Sequence, residues 1–282
     1  MMKLGLFSLP NPTMTYREAV DYALSMGMDA IEPYCDREFA EPDTDAAHRL
    51  AEYAAERNMK ICCFSMAVNV AARDNAAEIE RLKKYAEVAA ALGSPFLHHT
   101  LLPDLTHRQE RVPFSDLLKR AVRSVREVYD YAEQLGVKCV YEDQGYSFNG
   151  CERFERFLEA VDRNVGIVAD LGNIYFVGEN PAAFVGRFAP LIVHVHAKDY
   201  LFKAGSQGNP GARWSMTRDG DFLRDTIMGH GLVPFEQVFR ILIRAGYQGT
   251  FSLEYNGVED ALPAISQSVE NLRRLYENAE KN

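Results

Sequence analysis

Short apolar runs alternate along the chain with longer segments in which apolar residues recur every three or four positions. The short runs predict buried strands, and the longer segments predict amphipathic helices with one face on a core. The predicted strands are Lys3–Leu9, Asp29–Pro33, Lys60–Met66, Pro95–Thr100, Lys138–Asp143, Val165–Asp170, Leu191–His196 and Thr250–Tyr255. The predicted helices are Tyr16–Met26, Asp45–Arg57, Ala76–Leu92, Phe114–Leu135, Cys151–Val161 and Phe235–Ala245. This alternation is typical of repeated βα units around a parallel sheet.

Eight strands in succession favour closure into a (β/α)8 TIM barrel, which is an α/β fold. The competing architecture is a doubly wound open sheet, but no GxGxxG motif follows the first predicted strand. The length of 282 residues and the apolar content of 47% fit one barrel of ordinary size. We therefore expect a single barrel domain over residues 1–282.

Two connections are longer than the others, Leu101–Pro113 and Leu201–Val233. The second contains six glycines and one proline: Gly205, Gly208, Pro210, Gly211, Gly220, Gly229 and Gly231. Long connections in a compact domain are usually functional, so we expect an active-site lid at 201–233 that covers the substrate. The alternative is an ordinary surface excursion.

The charge and the cysteines narrow the range of functions. A net charge of −9 provides no basic surface for a nucleic acid backbone. The first residues lack the pattern of a signal peptide, and no segment holds eighteen uncharged apolar residues, so we expect a cytoplasmic protein that does not bind a membrane. Five scattered cysteines form neither a zinc pattern nor an even disulfide framework, and we interpret them as buried thiols.

Four consecutive predicted strands end in a residue type that binds metals: Glu142, Asp170, His196 and Glu254. In a barrel of this kind, polar residues at the carboxyl ends of the strands face the active site. Three carboxylates with one imidazole form an oxygen-rich set that suits Mn²⁺, Mg²⁺ or Co²⁺ and that can also hold Zn²⁺. The sequence therefore predicts one divalent metal ion, with Mn²⁺ preferred.

Further residues around the same rim are candidates for binding the substrate: Glu32, His98, His99, Lys198, Arg213 and Trp214. Strand alternation allows only one of His98 and His99 to face inward. Lys198 has the same parity as His196 and can point inward, although a surface lysine is the alternative. Arg213 and Trp214 suit a sugar face or an anionic group, whereas a tryptophan that only holds the loop on the barrel is the other interpretation.

Two stretches of the chain carry a family resemblance together with the strand endings above: His-Val-His-Ala-Lys-Asp at 194–199 and Gly-Tyr-Gln-Gly-Thr-Phe-Ser-Leu-Glu at 246–254. They resemble the sugar phosphate isomerase/epimerase family of xylose isomerase-like barrels. The resemblance extends over nearly the whole chain. It implies the metal ligands named above, with His196 as the ligand and His194 as a hydrogen-bonded core residue. In related keto-sugar epimerases one metal-bound glutamate removes a proton and the other returns it, which assigns these catalytic roles to Glu142 and Glu254.

Two positions depart from the keto-sugar 3-epimerases, which carry a histidine where Asn173 lies and an arginine where Phe202 lies. Asn173 is retained as a substrate-binding candidate. The resemblance implies a metal-dependent isomerase or epimerase that acts next to the carbonyl of a sugar, keto-sugar or polyol. The family's barrels are often homo-oligomeric dimers or tetramers.

Three alternatives remain open. The first is a metal-dependent lyase or dehydratase of keto-cyclitols or keto-glycosides, like the inosose dehydratases, because the same enolate forms first. The second is a phosphodiesterase like endonuclease IV, which needs a further Asp-x-His pair, whereas this chain has Asp225 and Ile227. The third is a barrel subunit whose partner contributes the reaction.

Overall fold

A computed structural model describes residues 2–103 and 112–281. Nine strands form one parallel sheet in the order β3-β2-β1-β12-β8-β7-β6-β5-β4, and three form a separate antiparallel sheet in the order β10-β11-β9. The strands are β1 Leu4–Leu6, β2 Ala30–Ile31, β3 Lys60–Ile61, β4 Phe64–Met66, β5 Phe96–His99, β6 Lys138–Glu142, β7 Gly166–Asp170, β8 Ile192–Ala197, β9 Tyr200–Lys203, β10 Ser215–Met216, β11 Phe222–Asp225 and β12 Phe251–Leu253.

The parallel sheet closes into a barrel through its third strand, which is divided into β3 and β4. The β3 segment pairs with β2, and the β4 segment pairs with β5. Between them the hydrogen bonds continue, since Cys62 N donates to Ile31 O at 3.1 Å and Ser65 N donates to Pro33 O at 2.9 Å. With β3 and β4 counted as one divided strand, the eight predicted strands are the eight strands of a TIM barrel. The predicted fold class is therefore confirmed.

Helices alternate with the barrel strands and pack on their outer side. They are α1 Tyr16–Ser25, α2 Thr44–Ala55, α3 Ala76–Ala91, α4 Phe114–Gln134, α5 Cys151–Val161, α6 Pro181–Phe188, α7 Phe235–Arg244 and α8 Ala261–Lys281. The first begins at a capping box, in which the Thr15 side chain accepts from Glu18 N and the Glu18 side chain accepts from Thr15 N. Within residues 2–103 and 112–281, no helix combines the length and the apolar character needed to cross a lipid bilayer.

The antiparallel sheet lies within the long connection after β8. The buried carboxylate of Asp199 accepts four backbone hydrogen bonds at 2.8–3.0 Å, from the N–H groups of Tyr200, Gly229, Gly231 and Val233. This side chain therefore holds both ends of the connection on the barrel. The other long connection, Leu101–Pro113, lies for the most part outside the described residues.

The interior of the barrel changes character towards the carboxyl ends of its strands. The layer between strands and helices is apolar and aromatic, as in the stack of Phe64 on Tyr85 at 5.6 Å. Inside the barrel near the carboxyl ends of its strands, in contrast, the polar side chains of Glu32, His194 and His196 are buried together. Buried charged groups need partners of their own, so this polar layer marks the end at which chemistry is expected.

Candidate metal centre

The four strand ends singled out by the sequence converge. Each of Glu142, Asp170, His196 and Glu254 offers one ligand atom, and these four atoms all lie within 4.8 Å of one another. The register explains the convergence, because Asp170 and Ser252 both pair with His196 across the neighbouring strands. Glu254 follows Ser252 by two residues and therefore lies on the same face of its strand.

The ring of His196 has two carboxylate groups beside one nitrogen and a third carboxylate beside the other. Its Nδ1 lies 2.9 Å from Glu142 Oε1 and 3.4 Å from Glu254 Oε2, and its Nε2 lies 3.0 Å from Glu32 Oε1. The ring also stacks on Phe7 with centroids 4.9 Å apart. A metal-binding histidine is typically oriented by a carboxylate on its other nitrogen, and Glu32 occupies that position.

Asp170 combines one satisfied oxygen with one free oxygen. Its Oδ1 accepts from Gly172 N and Asn173 N, each at 2.8 Å. Its Oδ2 is buried and has no hydrogen-bond partner among the described residues. The turn requires Gly172, since a Cβ there would lie 2.5 Å from the ring of Tyr200. A buried, unpartnered carboxylate oxygen that faces three other metal-ligand types is what a cation site would provide.

Lys198 is buried and points into the cluster, which decides between the two interpretations of this residue. Its Nζ donates to Glu254 Oε1 at 2.6 Å and lies 4.0 Å from Asp170 Oδ2. Burial lowers the pKa of Lys198, but the charge of Glu254 and other acidic neighbours outweigh it and raise the pKa well above its usual range. Lys198 therefore remains a cation inside the site.

The pKa values of Glu142 and Asp170 are shifted in opposite directions. Burial would raise the pKa of Glu142, but the hydrogen bond with His196 and nearby positive charges outweigh it and bring the pKa to about 2. Burial raises the pKa of Asp170 well above its usual range, and the lowering effect of Lys198 does not offset it. For His196, burial lowers the pKa, yet the charges of Glu32 and Glu142 raise it well above its usual range. A divalent cation binds the deprotonated forms of Asp170 and His196, so the raised pKa values of these two groups mean that a bound cation would compete with protons there.

Glu32 lies beneath the four donors and does not contact the open space above them. Its carboxylate receives hydrogen bonds from His194 Nε2 at 2.7 Å, from His196 Nε2 at 3.0 Å and from Ser65 Oγ at 2.5 Å. The prediction that Glu32 binds sugar hydroxyls is therefore corrected, because its oxygens are already used inside the barrel. His194 is the hydrogen-bonded core residue that the sequence analysis expected.

Only one of the two adjacent histidines on β5 faces the site. His98 points inward, with its Nε2 3.6 Å from Glu142 Oε2. His99 points outward, where its Nε2 lies 3.1 Å from Tyr141 Oη and its ring packs edge-on against that tyrosine. His99 is therefore corrected from a substrate-binding candidate to a residue of the layer between barrel and helices. Burial lowers the pKa of His98 and lowers that of His99 to about 4.

Asn173 holds Glu142 in place. Its Nδ2 donates to Glu142 Oε1 at 3.3 Å, and its Oδ1 accepts from Tyr200 Oη at 3.2 Å. Tyr200 starts the long connection, so this chain of contacts links the cluster to the antiparallel sheet. Asn173 thus touches a proposed ligand directly, and contact with a substrate stays a prediction for it.

Arg213 and Trp214 directly precede β10 in the long connection after β8. Arg213 is exposed, and the ring of Trp214 packs under the guanidinium of Arg224, with Arg224 Cζ 5.0 Å from the ring centroid. The described wall of the cavity next to the cluster contains no residue from 201–233. This arrangement agrees with a tryptophan that packs within the connection, and the substrate contacts and lid function remain predictions.

An open cavity of about 360 Å³ adjoins the cluster, within the range of small-molecule sites. Glu142, His196, Glu254 and His98 form part of its wall. The wall also includes Asp36 and Arg37, which the sequence analysis did not identify. Their only sequence signal is a charged pair shortly after the second strand, since their approach to the cluster depends on the path of that loop.

The cysteines are free, as expected for thiols without a disulfide framework. Cys62, Cys63 and Cys139 are buried, whereas Cys35 and Cys151 are only half-buried, which corrects the prediction that all five are buried. Cys63 lies near Glu32 and His194 in the barrel interior. Burial raises the pKa of the Cys63 thiol well above its usual range, so this thiol is protonated and unreactive.

Comparison with known proteins agrees with this fold. The chain is 29% identical over 127 residues to an inosose dehydratase from Bacillus thuringiensis (strain Al Hakam), a match that covers 44% of this chain and 42% of that protein. The matched segment is thus less than half the length of the relative.

Among solved structures, a xylose isomerase domain protein from Planctomyces limnophilus superposes with a TM-score of 0.78 at 16% identity and covers 100% of this chain and 99% of its own. An L-ribulose 3-epimerase superposes with a TM-score of 0.76 at 17% identity and covers 100% and 96%. At these identities the two structures show the shared fold. The sequence model of the family described as a xylose isomerase-like TIM barrel matches residues 20–276, and the protein therefore belongs to the xylose isomerase-like TIM barrel family.

Proposed function

We propose that the protein is a divalent-metal-dependent isomerase or epimerase that moves a proton on the carbon next to the carbonyl group of a sugar, a keto-sugar or a related polyol. The observation that carries this proposal is the convergence of Glu142, Asp170, His196 and Glu254. All of them except Asp170 border an open cavity. Membership of the family supports the proposal.

The donor set fits a hard divalent cation. It offers three carboxylates and one imidazole, it needs no thiolate, and it includes the unpartnered Oδ2 of Asp170. We propose Mn²⁺ as the ion, with Mg²⁺, Co²⁺ and Zn²⁺ as the alternatives. When bound, the cation would supply the positive charge that stabilises the oxygen next to the reacting carbon and so makes its proton acidic enough to be removed.

The protein's own residues would divide the remaining work. Glu142 and Glu254 both border the cavity, so each carboxylate can take or return a proton at the substrate carbon. Asp170 and His196 would mainly hold the ion. Lys198 keeps a positive charge beside Glu254 Oε1, so it can orient this carboxylate or bind a substrate oxygen.

A second candidate function is a lyase that removes water from the position β to a keto group. The local identity with inosose dehydratases favours it. Such a reaction begins with the same proton removal, and only the next step differs, because the electron pair then expels a hydroxyl group in place of accepting a proton. The two candidates are distinguished by the product.

Hydrogen exchange in D₂O tests both candidates. The Mn²⁺-loaded protein is incubated with D-psicose, D-tagatose, L-ribulose and an inosose, and mass spectrometry measures carbon-bound deuterium and loss of water. We expect deuterium in at least one ketone, with an epimeric product for the first candidate and a dehydrated product for the second. Absence of both over the whole panel would contradict the proposed function.

The variant Glu254→Gln is the informative one in this assay, because it removes a proposed base and a metal ligand. We expect its exchange rate to fall by about 100-fold or more. The matched control is Glu259→Gln, since Glu259 lies five residues further on and bonds with Tyr255 and Thr226. It does not border the cavity, so we expect it to exchange like the unaltered protein.

A further inference from the structure

The carboxylate of Glu32 has a close polar neighbour at each of its two oxygen atoms. Its Oε1 lies 2.5 Å from Ser65 Oγ and 3.0 Å from His196 Nε2, and its Oε2 lies 2.7 Å from His194 Nε2. Three groups thus converge on two carboxylate oxygens. An ionised carboxylate only accepts hydrogen bonds, so each of the three groups donates to it.

The direction of the Ser65 hydrogen bond follows. Two oxygens 2.5 Å apart need a proton between them, and the hydroxyl of Ser65 supplies it by donating to Glu32 Oε1. A hydroxyl has one proton, so Ser65 Oγ can only accept from its other two neighbours, Cys63 Sγ at 3.7 Å and His98 Nδ1 at 3.1 Å. His98 therefore carries its proton on Nδ1.

The other ring nitrogen of His98 is then a bare acceptor at the wall of the cavity. His98 Nε2 is buried and has no hydrogen-bond partner in the described part of the chain. Glu142 Oε2 is 3.6 Å away, too far for a hydrogen bond, so none of the described residues places an acceptor for a second ring proton. The imidazole is 4% exposed, yet it borders the same cavity as Glu142 and Glu254.

We propose that His98, as a neutral imidazole with its proton on Nδ1, accepts a hydrogen bond at Nε2 from a hydroxyl group of the substrate and thereby determines specificity. This inference rests on the proposed function and deepens it. His98 Nε2 and Glu142 Oε2 face the same space as two acceptors, so the group between them must be a donor. A hydroxyl fits there, whereas a phosphate or carboxylate group would be repelled.

Histidine ¹⁵N NMR tests the protonation pattern without any turnover. The protein contains seven histidines, and comparison with His98→Gln assigns the signals of His98. We expect a pyrrole-type shift at Nδ1 and a pyridine-type shift at Nε2 in the unaltered protein. Ser65→Ala should disturb this pattern, because it removes the acceptor of the Nδ1 proton. A proton on Nε2 of the unaltered protein would overturn the inference.

The matched control for Ser65→Ala is Ser94→Ala. Ser94 is also buried, but it lies just before the fourth barrel strand, away from the candidate metal centre. Its hydroxyl donates to Phe96 O. We expect its spectrum to retain the Nδ1–H pattern of His98. Equal disturbance in both variants would show a general loss of packing and would contradict the specific role of Ser65.

Kinetics tests the contact with the substrate, using the ketone that exchanges deuterium in the panel and its mono-deoxy analogues. In the unaltered protein we expect one deoxy analogue to lose about 10-fold in kcat/KM, the size of one neutral hydrogen bond. His98→Leu should abolish that difference, and His98→Gln, whose amide oxygen is again an acceptor, should restore part of it. An unchanged difference in His98→Leu would overturn the contact.

The two proposals fail in distinguishable ways. If no ketone exchanges deuterium, both the proposed function and the substrate contact of His98 are wrong. The NMR spectrum still tests whether Glu32 and Ser65 fix the proton of His98 on Nδ1. If a ketone exchanges but the deoxy series does not respond to His98→Leu, the proposed function holds and this inference is wrong.

Discussion

Glu32 and His196 are 164 residues apart in the chain, yet one carboxylate of the barrel interior controls which nitrogen of the imidazole faces the metal centre. Because Nε2 of His196 is hydrogen-bonded to Glu32, Nδ1 is the nitrogen that lies beside Glu142 and Glu254. Orientation by a carboxylate of this kind also increases the basicity of a histidine ligand.

The variant Glu32→Gln tests this role at the scale of the residue. Glutamine has nearly the same shape, but its amide presents N–H donors to groups that themselves donate. We expect the affinity for Mn²⁺ to fall by about 10- to 100-fold, the usual effect of losing a partner of a metal ligand. Isothermal titration calorimetry measures this affinity.

The control for this titration is Glu179→Gln, because Glu179 also accepts a hydrogen bond, from Cys151 N, but contacts no histidine within residues 2–103 and 112–281. We expect its affinity for Mn²⁺ to equal that of the unaltered protein. An unchanged affinity in Glu32→Gln, with the fold intact by circular dichroism, would contradict the role given to Glu32.

The sequence predicted the residues at strand ends better than the residues in loops or in the barrel interior. Convergence of Glu142 and Glu254 follows from the rule that carboxyl ends of parallel strands meet at one rim. The pairing of Glu32 with His194 does not follow from any local pattern, because two other strands, β1 and β12, lie between their strands in the barrel. The approach of Arg37 to the cavity depends on a loop whose path no periodicity encodes.

At the scale of the element, the connection from 200 to 233 is organised around Asp199. This carboxylate accepts four backbone hydrogen bonds, three of them from residues near the end of the connection. A Cβ on Gly231 would lie 2.3 Å from Asp199 Oδ1, so the close approach of the backbone requires glycine at this position.

We expect Asp199→Asn to loosen the end of this connection, because an amide provides one acceptor oxygen where the carboxylate provides two. Hydrogen exchange monitored by mass spectrometry should show faster exchange at 229–233, and the free energy of unfolding should fall by about 1–3 kcal/mol. The matched control is Asp221→Asn in the same connection, whose carboxylate accepts from Gly205 N. Faster exchange at 229–233 in the control alone would contradict this assignment.

The predicted elements agree closely with the observed ones where periodicity is strong. The predicted helix Cys151–Val161 is found with the same bounds, and Phe114–Leu135 ends one residue earlier. The antiparallel sheet was not predicted, because β10 has two residues and β11 has four, too few for an alternation to emerge among glycines. No helix was predicted from the sequence at the positions of α6 and α8.

At the scale of the whole molecule, the candidate metal centre joins four of the eight barrel strands. Its donors come from β6, β7 and β8 and from the residue after β12. A cation that binds all four donors binds only the folded barrel, because the unfolded chain does not bring them together. Binding is therefore coupled to the stability of the fold.

We expect Mn²⁺ to raise the melting temperature and EDTA to reverse the effect. At an ion concentration of about 100 times Kd, binding stabilises the folded state by about 2.7 kcal/mol, and for a chain of this size that corresponds to a shift of roughly 5 °C or more. Differential scanning calorimetry measures the shift. The double variant Glu142→Gln/Asp170→Asn should show none, and an equal shift in it would indicate an ion bound elsewhere.

Anomalous diffraction at the manganese edge, from crystals grown with Mn²⁺, measures directly whether the four side chains share one ion. We expect one strong anomalous peak within coordination distance of carboxylate oxygens of Glu142, Asp170 and Glu254 and of His196 Nδ1. A strong peak only elsewhere, or none at all between these four side chains at saturating Mn²⁺, would contradict this expectation.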